Sequence, residues 1–287
     1  MIELRSGTTT AAVDPERGGR LVSLAVDGRE LIVPPPDASD RSIYWGSFLM
    51  APWVGRIEHG VLAWNGRRVD LPRNEEGHAI HGLVHERAWE VEAATCCTAT
   101  LACRVDPAAW PFGATVRQTF ELDTDHLSIA AELCAETAMP ASIGWHPWFR
   151  RNGGGPVVTL AAAEVLETQR LIPTGRRVPV DGLTDLREGG RVCERELDHV
   201  YPDAASPAIA RWPDLELAVE FGPPLTTVVV HSRPQAFCIE PQTAWPNAPA
   251  LAAGGMATTG LATLAAGERL RAVMTLRWTP IEAAPPA

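Results

Sequence analysis

The chain has 287 residues, with 25 basic and 35 acidic side chains and a formal net charge of −10, and every basic residue is arginine. The absence of lysine excludes Schiff-base aldolase chemistry, pyridoxal-phosphate chemistry and a Walker-type nucleotide site, because each needs a lysine amine. The acidic balance argues against a nucleic-acid partner, which would call for a basic excess on one face.

Period-two alternation dominates from the N-terminus onward. Val22, Leu24 and Val26 share one face, Asp27-Gly28 supplies a tight turn, and Leu31 and Val33 resume the pattern. Trp64-Asn65-Gly66-Arg67 repeats the device, since Asn-Gly tolerates the positive φ that a two-residue hairpin needs. Val116, Gln118, Phe120 and Leu122 form a third face, Asp123-Thr124-Asp125 turns it, and Leu127, Ile129 and Ala131 return. Leu215, Leu217, Val219 and Phe221 alternate until Gly222-Pro223-Pro224 stops them, and Leu270 to Trp278 closes the series. Helical spacing is weak, and Leu251 to Leu264 is too rich in Gly and Thr to read as a helix. Short strands with frequent turns predict an all-β chain, a large antiparallel β-sandwich with few short helices. The 24 Gly and 25 Pro are spread along the chain, so residues 1–281 read as one domain and 282–287 as a frayed tail.

The first residues lack a cationic head followed by an apolar run, and no stretch reaches the roughly 18 consecutive apolar residues that span a bilayer. A cytoplasmic protein with no membrane partner is expected. The six cysteines fit that reading as free thiols, since they form no CxxC pair.

Five stretches combine titratable residues with aromatics, Pro and Gly: Pro52–Ile57, His78–Gly82, Gly144–Phe149, Leu197–Tyr201 and Cys238–Gln242. Flat apolar faces beside a few directed hydrogen bonders are the mixture a sugar site uses. Within them stand the GRI run at Gly55 to Ile57, the HG pair at His81-Gly82, the HPWF run at His146 to Phe149 and the EPQT run at Glu240 to Thr243.

Taken in this order, the runs resemble the aldose 1-epimerase (galactose mutarotase) family, over nearly the whole chain. The resemblance implies the galactose mutarotase-like supersandwich and a cofactor-free, metal-free isomerase acting on a monosaccharide. It implies Glu240 as general base and His146 as general acid, His81 near the ring oxygen or anomeric hydroxyl, and Arg56 and Asp198 on sugar hydroxyls. Trp53, Trp145, Trp148 and Trp245 have neighbours suited to stacking on sugar, Trp53 and Trp148 foremost. Two residues depart from the common pattern: Gly55 where many members carry Asn, and Trp148 where many carry Tyr.

The chemistry asks for the same residue types. Exchanging anomers takes a proton from the C1 hydroxyl and gives one to the ring oxygen, which a carboxylate and an imidazole on opposite sides can do. A Glu near Trp245 and Phe237 would be raised towards neutral pKa by desolvation. His146 and Glu240 lie 94 residues apart, so only tertiary structure unites them. Other readings stand beside this one. His78, His81 and His85 have a metal-like H-x2-H-x3-H spacing, yet the first two would point to opposite faces of a strand. His199 and His231 read as ordinary polar residues, though His231 lies on the run to Glu240. Arg150 and Arg151 would suit an anionic, sulfonated or phosphorylated sugar, with a solvated loop as the blander account. A sugar-binding protein without turnover is the remaining alternative.

Overall fold

The computed structural model describes residues 1–35 and 42–281, so the expected frayed tail at 282–287 lies outside the described residues. Strands make up 55% of it and helix 5%, in two large sheets that form the sandwich expected from the alternation. One α-helix, Ala248–Ala253, and three short 3-10 turns are the helical elements among the described residues.

In the first nine-stranded sheet the order is Ile2–Ser6, Thr9–Asp14, Arg20–Val26, Ser47–Met50, Gly144–Arg150, Ala236–Gln242, Thr227–Arg233 and Asp198–Pro202, with Arg29–Glu30 paired to Arg20–Val26. The second runs Glu90–Ala94, Thr98–Val105, Ala114–Leu122, His126–Ala135, Arg269–Pro280, Leu215–Phe221, Ala205–Arg211, Val157–Ala161 and Gly190–Arg191. Its Ala114–Leu122, His126–Ala135 and Leu215–Phe221 strands alternate strictly, because one face meets the core and the other meets water. Asn65 and Gly66 take positive φ of 45° and 73° in the hairpin that pairs Trp64 with Arg67.

The middle of the first sheet is different. Ser47–Met50 and Ala236–Gln242 are buried throughout, and Gly144–Arg150 is buried up to its last residue. Both faces are therefore covered, and residue parity sorts the side chains between them. Leu49, Trp145, Phe149, Phe237, Ile239, Val228 and Val230 join the core between the sheets. Phe48, Met50, Trp148 and Cys238 turn the other way into a separate cluster. That second face carries the polar residues singled out in the sequence.

Arg20, from the Gly18-Gly19-Arg20-Leu21 run, is fully buried beneath this face. Its guanidinium donates to the carbonyl oxygens of Ser42, Trp45 and His85 at 2.5, 3.1 and 2.7 Å, and its Nε donates to that of Arg17. It also lies 4.0 Å from the Trp45 ring centroid. One side chain so ties together three loops. Gly18 is needed there: its φ is +86°, and a Cβ would stand 2.0 Å from the His85 carbonyl oxygen.

Candidate active site

Strand register builds the site in rows. Pairing of Gly144 with Gln242 and of Trp148 with Cys238 sets His146 opposite Glu240. Phe48 pairs with His146 on the far side, and Val229 with Glu240. The neighbouring row runs Trp148, Cys238, His231, Asp198. Residues distant in sequence thus become cross-strand neighbours on one face.

Glu240 Oε1 lies 3.2 Å from His146 Nε2, and both residues are buried. Gln242 donates from Nε2 to Glu240 Oε2 at 3.1 Å. Cys238 Sγ lies 3.4 Å from His146 Nδ1. Phe48 stacks on the His146 ring with centroids 4.8 Å apart, and Trp148 backs it at 5.2 Å. The imidazole is therefore fixed in plane and in both ring nitrogens.

Two further residues enter from a small ladder in which Arg56 pairs with Ile80. His81 follows at φ +58°, its N–H donating to the Gly55 carbonyl, and it meets His146 edge-on at 5.0 Å. Arg56 is held by Glu76, with Nε 2.8 Å from Oε2. Asp198 Oδ1 lies 3.4 Å from His231 Nδ1. All seven residues singled out for the site, Glu240, His146, Arg56, His81, Asp198, Trp148 and Trp53, line one cavity of about 600 Å³.

Burial governs the electrostatics. It pushes the Glu240 carboxyl well above its usual range, and repulsion from Asp198 adds to this. It holds His146 well below the ordinary imidazole value, with His231 contributing. His81 is lowered in the same way, by burial first and His146 next. Asp198 moves down: burial raises it, but its hydrogen bond with His231 and the charges of His231 and Arg56 outweigh burial. Both members of the central pair thus favour their neutral forms, with the proton on Glu240. At 3.2 Å an ion pair recovers roughly 5 kcal/mol in an effective dielectric of about 20, comparable to the several kcal/mol lost in desolvating each ion. Two ions are desolvated for one attraction gained, so the neutral pair is the resting form and the ion pair lies above it.

The geometry corrects several sequence expectations. Glu240 and His146 stand side by side, not on opposite sides of a gap. Trp145 faces the core, where its indole N–H donates to Gln118 Oε1 at 2.9 Å, and neither it nor Trp245 lines the cavity. Phe237 also faces the core, three residues and thus one face away from Glu240, so general burial accounts for the raised carboxyl. Trp53 and Trp148 reach the cavity as backing walls: Trp53 packs on Trp110, and the Trp148 indole donates to the Ile43 carbonyl at 2.6 Å. The Gly55 departure has a steric reason, since φ is +56° and a Cβ would lie 2.7 Å from Pro246.

The three spaced histidines do not converge on one point. His78 Nδ1 accepts from the His59 backbone N–H, while His81 and His85 line the cavity. Among the described residues, the one group with metal-compatible spacing is His146, Cys238 and Glu240, within 4.8 Å. Cys238 and Glu240 address opposite ring nitrogens, so one ion would not take all three as they stand. Arg150 and Arg151 lie outside the cavity lining, and Arg151 donates to the Val192 carbonyl. Gln242, His231 and His85 also line the cavity, beside the seven residues assigned to the site. Parity with Glu240 was a signal for Gln242, and the H-x2-H-x3-H spacing had already marked His85.

The site is thus a buried Glu–His pair on a doubly covered antiparallel sheet, facing a cavity. A sequence model of one family, aldose 1-epimerase, matches residues 1–277, and the chain belongs to the aldose 1-epimerase family. Among solved structures, the GalM/aldose epimerase homologue from C. elegans superposes with a TM-score of 0.85 at 17% identity, covering 98% of this chain and 99% of that one. A galactose mutarotase-like protein from Clostridium acetobutylicum gives 0.84 at 18% identity, covering 97% and 95%. In sequence, the uncharacterized protein YihR of Escherichia coli (strain K12) is 28% identical over 142 residues, 47% of this chain. That match spans 46% of YihR, about half its length.

Proposed function

We propose that this chain is a working mutarotase, interconverting the α and β anomers of a free aldose with Glu240 and His146 as its acid–base pair. The observation that carries the reading is the 3.2 Å contact between Glu240 Oε1 and His146 Nε2 at the wall of the cavity. The C1 hydroxyl and the ring oxygen are both bonded to C1. Two proton-transfer atoms set side by side suit two oxygens on one carbon.

The steps balance with one proton on the pair. Glu240 as carboxylate takes the C1 hydroxyl proton, the C1–O5 bond breaks, and His146 as imidazolium gives its proton to the ring oxygen. The aldehyde is then bound by protonated Glu240 and neutral His146, the form that burial favours. After rotation about C1–C2 the ring oxygen attacks the other face, His146 recovers its proton, and Glu240 returns one to O1. General acid–base assistance is worth roughly 10² to 10⁴ in rate for each group. Arg56, Asp198 and His81 hold hydroxyls, while Trp148 and Trp53 wall the cavity.

An uncharged sugar fits this cavity better than an anionic one. Its charged lining comprises Arg56, Arg73 and Arg87 against Glu75, Glu76, Glu86, Asp198 and Glu240, and Arg56 is already engaged by Glu76. Six free thiols support a reducing compartment such as the cytoplasm. The test is the optical-rotation decay of freshly dissolved α-glucose and α-galactose. Acceleration above the buffer rate supports the proposal, and saturable binding without acceleration would make the protein a sugar sensor.

A further inference from the structure

The Ala236–Gln242 strand turns three polar or sulfur side chains toward the cavity face at period-two spacing, Cys238, Glu240 and Gln242. The mechanism above uses only the middle one. Yet the outer two each touch a member of the acid–base pair. The contacts run in one line: Cys238 Sγ to His146 Nδ1 at 3.4 Å, His146 Nε2 to Glu240 Oε1 at 3.2 Å, and Glu240 Oε2 to Gln242 Nε2 at 3.1 Å.

We propose that Cys238 and Gln242 are positioning residues that bias the pair's single proton toward His146, the arrangement ring opening requires. Gln242 does so by donating its amide N–H to the Glu240 carboxylate. Cys238 does so by offering its sulfur as acceptor to the His146 Nδ1–H, a hydrogen bond that strengthens when the ring becomes imidazolium. The inference rests on the mutarotase reading of the pair.

The surroundings make such a bias necessary. Burial and Asp198 favour a protonated Glu240, and Arg56 only partly offsets them. Burial, His231 and His85 favour a neutral His146, and Asp198 opposes them. His81 faces the same imidazole edge-on. Cys238 is itself fully buried, and burial raises its thiol far above the usual value, so it stays an uncharged sulfur with lone pairs available. Gln242 is 1% exposed, and its place is reserved by Gly144 across the ladder, where a Cβ would fall 2.9 Å from Gln242 Cγ. A hydrogen bond to a charged group is strong enough to shift such a balance by about tenfold.

The experiment compares wild type with Gln242→Met, Cys238→Ala and Cys238→Ser, using polarimetric kcat and KM, the pH profile of kcat/KM, and the His146 imidazole titration by NMR in sugar-free protein. Gln242→Met keeps length and removes the donor. It should lower kcat about tenfold with KM little changed, and move the basic limb upward, because Glu240 then holds its proton to higher pH. Cys238→Ala should lower kcat and move the acid limb and the His146 titration downward, and Cys238→Ser should restore both by supplying an oxygen acceptor. Folded variants whose limbs and titration stay at wild-type values would overturn the proposal, even with reduced kcat, since that is the mark of a merely structural role. A wild type that does not accelerate mutarotation would instead defeat the mutarotase reading. The NMR titration of the same proteins would still decide whether the two residues bias the proton.

Discussion

Asp198 and His231 face each other directly across adjacent strands, with Oδ1 3.4 Å from Nδ1. The contact keeps Asp198 ionised, and its negative charge in turn raises the Glu240 carboxyl. Asp198→Asn removes that repulsion, so Glu240 ionises at lower pH and the basic limb of kcat/KM should move downward. This is the opposite sign to Gln242→Met. Asp198→Ala should chiefly raise KM, by about 10- to 100-fold, the worth of a hydrogen bond to a charged group. A pH–rate series on the purified variants checks both.

Arg56 is aimed by Glu76, whose side chain is 45% exposed. An ion pair at that exposure contributes about 1 kcal/mol at most. Glu76→Gln should therefore raise KM only a few-fold, whereas Arg56→Ala removes the donor fork itself and should raise it more. In both variants kcat should change little, because hydroxyl contacts hold the ground and transition states about equally. Steady-state polarimetry at several sugar concentrations separates the two parameters.

The buried Arg20 concerns stability. Arg20→Met leaves the carbonyls of Arg17, Ser42, Trp45 and His85 without their donor. The expected loss is roughly 3 kcal/mol or more, since each buried unsatisfied group costs about 1 to 3 kcal/mol. Urea unfolding should show a lower midpoint with an unchanged slope.

Thiol chemistry offers a further check. Cys96, Cys97, Cys134 and Cys193 are at least partly exposed, while Cys103 and Cys238 are buried, and burial raises the pKa of both buried thiols. Native protein should release four equivalents to a thiol reagent quickly, and unfolding without reductant should bring the total to six. A shortfall of two after unfolding would point to a disulfide and against a reducing compartment.

Much of this was legible because it is local. Asn65-Gly66 has only one comfortable use, and the alternation Leu215, Leu217, Val219, Phe221 can serve only a half-buried strand. The five stretches carried the seven residues assigned to the site. What the chain does not encode locally is which parity faces which side. Trp145 and Trp148 look alike in sequence, but strand pairing sends one into the core and the other to His146. The Glu240–His146 contact depends on the register between strands 94 residues apart, and Phe48, which carries no motif, supplies the stacking surface. Nothing local marks Arg20 as buried, and only the convergence of three loops makes it a buried tie.

The central claim is that Glu240 moves the C1 hydroxyl proton, and the most direct measurement is the polarimetric mutarotation rate of Glu240→Gln, with folding verified by circular dichroism. Glutamine keeps the size and the contacts to His146 and Gln242 but cannot accept the proton. The account predicts a loss in kcat on the order of 10² to 10⁴, with sugar affinity little changed. His146→Asn should fall in the same range, and the double variant should lose less than the product of the two, because the pair works as a unit. A folded Glu240→Gln protein that keeps more than about a tenth of the wild-type kcat would contradict the account, since that is far above what a lost general base allows.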